Sequence, residues 1–491
     1  MSIKNRTLFF GDNLEVLEGK VPDSFFDLIY LDPPFNSNRN YNVLFKEGMV
    51  DSSAQIHAFE DTWEWTPSTD RLFKELKQGD NPQISMLINS LHEFIKDTPM
   101  MAYLVNMTAR LIPLERALKK SGSIYLHCDP TASHYLKIIM DIIFDKANFR
   151  NEIIWERGTA SGGKAGGDKF VPNHDTLLFY VKDRNQKKFN RQYIEYTKDY
   201  IDQRFKYADE NGRKYRLQLG NRKQYLDESK GKPVSDIWTD IFPINPMAEE
   251  KLRYPTQKPE ALLERIIKAS TNEGDWVLDP FCGCGTTVAA AEKLHRNWVG
   301  IDISMQAIRV IDKRMREHYP ERNISIDGIP QDLEGAAKLA ERDKIAFQDW
   351  AINLIDARPP TGRSQWGADR GVDGVILYQE KMGFNNQKLR KVIVQVKGGN
   401  TGRGDVAKLK GDIEREDAPM GVLITLHEPT AEMKREASLA GEYKYNDTVS
   451  FPRIQILSIK NWFDGRKPEL PKEIVNPFKM AREKADQYKL L

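Results

Sequence analysis

Residues 275–302 read DWVLDPFCGCGTTVAAAEKLHRNWVGID. An apolar strand runs into a glycine-rich turn, the turn opens a helix, and a second strand follows and ends on an acid. This order ties the chain to an α/β sheet with helices packed against it. Gly283 and Gly285 let the backbone come close to a ligand, and the helix opening at Thr286 offers free N–H groups to a carboxylate or another anion. Asp302 lies seventeen residues beyond Gly285 at the end of the neighbouring strand, where an acid can accept from ribose hydroxyls. The turn taken alone implies a nucleoside-containing cofactor. A nicotinamide dinucleotide would also fill it, although Val288 breaks the full G-x-G-x-x-G spacing. A purely structural strand-to-helix turn is the plain alternative.

Leu31-Asp32-Pro33-Pro34-Phe35 is the sharper signal. The run FFDLIYLD reads as a buried strand, and prolines cannot continue a central ladder, so Asp32 sits at the strand's end. Open α/β sheets place their ligands there. Two prolines fix the direction of the following carbonyls, and an aromatic ring stands beside them. The set suits an exocyclic amine on a planar base: Asp32 accepts one N–H, a proline carbonyl accepts the other, and Phe35 stacks on the ring. Such an amine has its lone pair delocalised, so acceptors on its hydrogens are needed to make the nitrogen nucleophilic. No covalent enzyme intermediate is required. A base held this way must leave the duplex, and Trp155 at the end of EIIWER is a candidate second wall, with a core role as the alternative.

At 491 residues and 40% hydrophobic, the chain can fill two or three cores. One α/β series extends to about Tyr319, with residues 36–98 as an inserted loop and helix region and 103–122 as a helix stopped by Lys-Lys-Ser-Gly. Residues 320–342 read as a polar linker. A second domain follows at 343–491, with a helix near 343–356 and strands at GVDGVILYQ, KVIVQVKG and GVLITL. The net charge is only +2, so contact with nucleic acid has to come from a local patch. One stretch fits: Lys182–Lys232 carries 15 Lys or Arg against 8 Asp or Glu, interleaved with six tyrosines. Phosphate-facing cations with base-stacking aromatics are one reading of it, and a solvated surface is the other. Cys128, Cys282 and Cys284 cannot make a disulfide framework, and Cys282 and Cys284 fall two short of four zinc ligands. No signal peptide and no 18-residue apolar run appears, which implies a cytoplasmic protein without membrane contact.

From about Leu8 to Tyr319 the chain resembles the amino-methyltransferases of DNA in which a catalytic DPP-[FY] motif precedes F-x-G-x-G, the permuted "beta" order shared with modification subunits of type III restriction systems. The resemblance implies a Rossmann-like S-adenosylmethionine-dependent methyltransferase sheet acting on double-stranded DNA within a restriction-modification or defence system. Asp32, Pro33, Pro34 and Phe35 match its catalytic motif, Phe281, Gly283 and Gly285 its cofactor loop with Thr286 following, and Asp279 that loop's leading acid. Tyr254-Pro255-Thr256-Gln257-Lys258-Pro259 resembles its PTQKP stretch, where Lys258 would hold the methionine carboxylate. Gly11-Asp12 resembles the opening G-D pair, placing Asp12 near the cofactor adenine, with Asp302 on the ribose. The family's recognition region falls at residues 182–250, and its DPP-[FY] motif implies adenine N6, with cytosine N4 as the alternative. A homodimer is left open.

The tail carries Asp373 on one strand, and Gln395 and Lys397 on one face of the next. Asp373 holding Mg²⁺ with Lys397 near an attacking water is an arrangement that could cut a phosphodiester. This region resembles the Mrr-like branch of PD-(D/E)xK restriction endonucleases. That branch commonly carries Phe-Glu on its first helix, and this chain has Phe347-Gln348, so a form that binds DNA without cutting it stands beside an active nuclease. A bifunctional restriction enzyme is the alternative reading of the whole chain. No helicase-type phosphate loop is present, and Lys460 and residues 466–467 read as surface.

Overall fold

A computed structural model of the protein describes residues 3–34, 40–44, 55–60, 63–158, 170–245, 248, 250, 252, 257–359, 371–381, 387–446, 448–471 and 474. Its largest element is a nine-stranded sheet. The spatial order is Ile237–Trp238, Phe149–Glu156, His174–Val181, Leu118–Cys128, Phe26–Leu31, Trp276–Asp279, Asn297–Asp302, Thr7–Phe10 and Ser325–Asp327. His174–Val181 alone runs against its neighbours, and every other adjacent pair is parallel.

Both faces of the central strands are covered, which is why apolar residues occur on both faces rather than at alternate positions only. Phe9, Ile29 and Leu31 join the core beneath helix Pro99–Ala117. Leu8, Phe10, Leu28 and Tyr30 face the other way, into the core shared with helices Glu260–Ser270 and Met305–His318. The alternation follows from the two-residue repeat of a strand.

The helix expected over 103–122 starts earlier and ends at Ala117. Lys119–Gly122 belong instead to strand Leu118–Cys128, because Leu118 pairs in parallel with Phe26. Residues 320–342 are not a free linker. Ser325–Asp327 forms the last strand of the large sheet, paired with Thr7–Phe9, and helix Leu333–Arg342 buries Ala336, Leu339 and Ala340. Sheet pairing and an apolar helix stripe outweigh the polar composition that suggested a bridge.

The region after His174–Val181 forms its own small elements. They are a three-stranded sheet (Tyr207–Ala208, Lys214–Leu217, Lys223–Tyr225), a strand pair (Tyr193–Ile194 with Lys232–Pro233) and helix Lys198–Arg204. Ile237–Trp238 then returns to the edge of the large sheet beside Phe149–Glu156.

The C-terminal domain is a second α/β unit. Its sheet runs Gly374–Lys381, Gln387–Lys397, Met420–Thr425, Ile454–Ser458. The first two strands form an antiparallel hairpin and the remaining pairs are parallel. Helix Lys344–Asn353 packs against helix Met305–His318 of the first domain, where Met305 N donates to Asp349 (2.6 Å) and Arg309 pairs with Asp356 (2.8 Å). Among the described residues no helix is long and apolar enough to cross a membrane.

Candidate active site

The two signals of the sequence meet. Leu28 pairs in parallel with Val277 and Ile29 with Leu278, so the chain leaves both strands at the same edge of the sheet. Asp32 follows one strand and the glycine turn follows the other. Asn297–Asp302 and Thr7–Phe10 end at that edge too, which brings Asp12 and Asp302 alongside. Asp12, Asp32, Pro33, Pro34, Lys258, Asp279, Phe281, Gly283, Thr286 and Asp302 all line one cavity of about 440 Å³. Phe35 and Thr256 lie outside the described residues.

The glycine turn is shaped by its backbone. Gly283 and Gly285 adopt φ of 50° and 76°, the left-handed region that disfavours side chains. At Gly285 a Cβ would also meet Ile311 Cγ1 at 2.7 Å. Asp279 accepts from Phe281 N (3.0 Å), and Asp302 accepts from both Gly283 N (2.7 Å) and Ser304 N (2.8 Å). Burial, with the neighbouring acids adding to it, pushes the Asp279 carboxyl up to about 7. Burial likewise raises Asp302 to about 6 against the pull of its two N–H donors. Each carboxylate oxygen has two lone pairs, so Asp302 keeps acceptor capacity towards hydroxyl groups in the cavity. Cys282 and Cys284 are buried in this turn, and burial raises both thiols. Both line the cavity.

Lys258 Nζ lies 2.5 Å from Asp32 Oδ2. The segment that delivers it is pinned by Gln257, which donates to Glu250 O (2.6 Å) and accepts from Leu252 N (2.8 Å).

Three residues of the site have no motif to announce them. Arg110 rises from helix Pro99–Ala117 and is buried. Its guanidinium reaches both oxygens of Asp12 (3.0 and 3.1 Å) and Asn13 Oδ1 (2.6 Å). Asn13 in turn donates to Pro280 O (2.7 Å), so the Asp12 loop and the glycine turn are locked together. Trp63 donates its indole N–H to Pro34 O (3.1 Å), and the Arg110 guanidinium lies 5.7 Å from its ring. The available signal is a single charged residue within the stretch NMTARLIPL, which has to be neutralised wherever it is buried.

Trp155 is a core residue and does not line the cavity. It is buried, its indole donates to Ile241 O (2.8 Å), and its ring meets His127 edge-on. Behind the cavity wall, Tyr30 OH contacts His127 Nδ1 (2.9 Å), and His127 Nε2 contacts Asp175 (3.1 Å).

The tyrosines of 182–232 largely stack on one another rather than facing outward. Tyr196 and Tyr200 are parallel at 4.8 Å, and the Arg216 guanidinium sits among Tyr196, Tyr200 and Phe205. This gives a small unit its own core. Tyr207, Arg204, Lys206, Arg222 and Lys230 stay exposed.

In the C-terminal domain Asp373 accepts from Val396 N (2.6 Å) and from Gln348 Nε2 (2.7 Å). Burial raises its carboxyl to about 6, against the nearby Lys397 and Lys408. Gln395 is buried with its amide on Asp412, which is also paired with Arg415 (2.6 Å). Asp373 and Lys397 therefore come near each other, while Gln395 turns to Asp412; Asp373, the one carboxylate of the expected trio, accepts from an amide and a backbone N–H. Among the described residues no group of three or more His, Cys, Asp or Glu converges as a metal site would require. Asp373 is the one carboxylate of the expected set, a sparse site for Mg²⁺, which takes about six oxygen ligands.

Comparison with known proteins agrees with this division. The family model described as "NACHT-associated inactive Restriction Endonuclease 1" matches residues 360–452, and the tail is restriction-endonuclease-like. The Type II methyltransferase M2.DpnII of Streptococcus pneumoniae is 40% identical over 310 residues, covering 63% of this chain and 88% of that protein. The DNA adenine methyltransferase YhdJ of Escherichia coli is 26% identical over 330 residues, 65% of this chain and 86% of that protein. The Type II methyltransferase M.BamHI of Bacillus amyloliquefaciens is 28% identical over 317 residues and 65% of this chain, and the chain spans only 58% of its length. The family model described as "DNA methylase" matches residues 26–313, more than half of the 491, and the chain belongs to that family.

Proposed function

We propose that this protein is a site-specific DNA methyltransferase that moves a methyl group from S-adenosylmethionine to adenine N6 of a base flipped out of duplex DNA. The single observation carrying this is the shared cavity: Asp32 and the glycine turn stand at the same end of two neighbouring parallel strands. The cavity's volume lies in the range of small-molecule and cofactor sites. Its donor set suits a nucleoside joined through sulfur to an amino acid, with Asp302 for ribose hydroxyls, Lys258 for the free carboxylate, and Asp12 beside the adenine. When bound, the cofactor supplies an electrophilic methyl on a sulfonium.

Asp32 accepts one N–H of the target amine. A proline carbonyl accepts the other, and Trp63 fixes the direction of the one on Pro34. Removing amine hydrogen density in this way raises the nitrogen's nucleophilicity while the pocket holds the reacting atoms in line. The small unit within residues 182–250, with its exposed basic side chains, is the target-recognition candidate. The beta-order subtype and adenine as target rest on DPPF, and the adenine methyltransferase among the relatives supports that choice. A role in restriction-modification rests on the Type II relatives.

For the C-terminal domain we propose an Mrr-like PD-(D/E)xK lineage that has lost cleavage, because Gln348 stands on Asp373 where a second carboxylate would be needed. The matched family's "inactive" description agrees with that.

The test is incubation of DNA with labelled S-adenosylmethionine, followed by digestion to nucleosides. Label in N6-methyladenosine is expected. Label in N4-methylcytosine would remove adenine, and absence of transfer to any unmodified DNA would remove the activity.

A further inference from the structure

The methylase match ends at residue 313, yet the turn that carries Asp302 is fixed from outside it. Asp302 holds Gly283 N and Ser304 N, and Ile303 and Ser304 line the cavity. The helix Met305–His318 begins immediately after them. Ser304 Oγ accepts from Ala307 N (3.4 Å), while Met305 N donates to Asp349 Oδ2 at 2.6 Å. A helix start has orphan N–H groups and a partial positive charge, so a carboxylate placed there fixes it in both respects. Asp349 comes from helix Lys344–Asn353, beyond the methylase match, whose preceding residue Gln348 donates to Asp373. One helix therefore holds the start of helix Met305–His318 through Asp349 and Asp373 of the C-terminal domain through the residue before it.

We infer that the C-terminal domain is a working part of the methylase's cofactor site, with Asp349 as the positioning residue that holds the Asp302–Ser304 turn. This rests on the methyltransferase reading above. Without Asp349 the first turn of helix Met305–His318 loses a donor's partner and frays. Asp302 then loses the fixed geometry that lets one carboxylate hold Gly283 N–H, Ser304 N–H and ribose together.

Calorimetric titration of the full chain with S-adenosylmethionine tests it. Asp349→Ala should weaken binding roughly 5- to 10-fold, the size of one lost helix cap. Asp349→Asn, whose side-chain oxygen still accepts from Met305 N–H, should recover most of it. Gln348→Ala removes the contact to Asp373 and should bind as the native chain does. Native affinity in Asp349→Ala overturns the inference, and so does equal weakening by Gln348→Ala, which would mean general loosening. Should Asp349→Ala fail to fold, hydrogen exchange of the native chain decides: added cofactor should slow amides of Ile303–Ala307 and of Lys344–Asn353. Protection that stops short of the second segment overturns it. Failure of the native chain to bind S-adenosylmethionine would instead overturn the functional reading.

Discussion

Lys258 Nζ stands 2.5 Å from Asp32 Oδ2, joining two motifs that are 226 residues apart in the chain. A proposed carboxylate-binding cation and the proposed amine acceptor thus neutralise each other across the cavity. An incoming carboxylate would compete with Asp32 for the lysine and leave Asp32 open to an amine. Asp32→Ala should therefore cut methyl transfer by about a thousandfold, as loss of a transition-state acceptor does, while cofactor affinity stays the same or tightens. Lys258→Ala should weaken cofactor binding roughly 10- to 100-fold, the worth of a charge-assisted hydrogen bond. Calorimetry and single-turnover kinetics separate the two. Equal loss of cofactor affinity in both variants would remove the assigned division of roles.

Arg110 is the buried keystone between Asp12, Asn13 and, through Asn13, the glycine turn. Truncation strands the Asp12 carboxylate and an asparagine oxygen. Arg110→Ala should cost about 1–3 kcal/mol, because the Asn13 oxygen is left unsatisfied while the Asp12 carboxylate, 35% exposed, can still be solvated. Arg110→Lys should not restore stability, because an ammonium cannot reproduce the fork that reaches two neighbours. Urea denaturation of the full chain measures both, and a Lys variant as stable as the native chain would show that charge alone is enough.

The legible part of this site was its chain-local part. DPPF and FCGCG announce themselves because proline and glycine constrain the backbone wherever they occur. The relation between them had to be inferred from the rule that ligands gather at strand carboxyl ends, and the parallel pairing of Leu28 with Val277 supplies it. Arg110, Asn13 and Trp63 were not legible, since each acts through a partner distant in sequence and none has a spacing of its own. Polar composition misled at residues 320–342, where a three-residue edge strand is too short to carry a periodic signal. Tyrosines among lysines at 182–232 suggested stacking on bases, but an isolated unit of that size has to spend its aromatics on its own core.

Three carboxyls around the cavity are lifted from their ordinary 3.8: Asp279 to about 7, Asp302 to about 6 and Asp349 to about 6, each chiefly by burial. A carboxyl raised in the folded state costs stability while ionised, and that cost is relieved as pH falls through its folded value towards 3.8. Asp27 and Asp175 are lowered by their cationic or imidazole partners and N–H donors, so their contribution is complete above 3.8 and is lost only in stronger acid. Lowering the pH from about 8 to about 5.5 should thus leave thermal stability unharmed by these groups while cofactor affinity drops, because Asp302 loses its charge. Parallel melting curves and cofactor titrations across that window check it. Affinity that stays flat through pH of about 6 would take Asp302 out of the binding set.

Gln348 occupies the place from which a second carboxylate would reach Asp373, at 2.7 Å. An amide there donates to Asp373 and Val396 N donates to its other oxygen, so no second carboxylate stands beside Asp373 to complete a cation site. Native protein with unmethylated DNA and Mg²⁺ should therefore give no cleavage, and Lys397→Ala should leave that result unchanged. Gln348→Glu exchanges the donor for an acceptor and sets two carboxylates side by side, which repel unless one takes a proton or a cation enters. Its melting temperature should fall in chelator and recover with millimolar Mg²⁺ or Mn²⁺, whereas the native chain should ignore both ions. Two carboxylates still make a sparse site for a cation that wants about six oxygens, so the recovery should be partial and the variant should remain unable to cut. Metal-dependent cleavage by the native chain that disappears in Lys397→Ala would mean instead that Asp373 recruits a cation despite its two donors, and that the domain is a working nuclease.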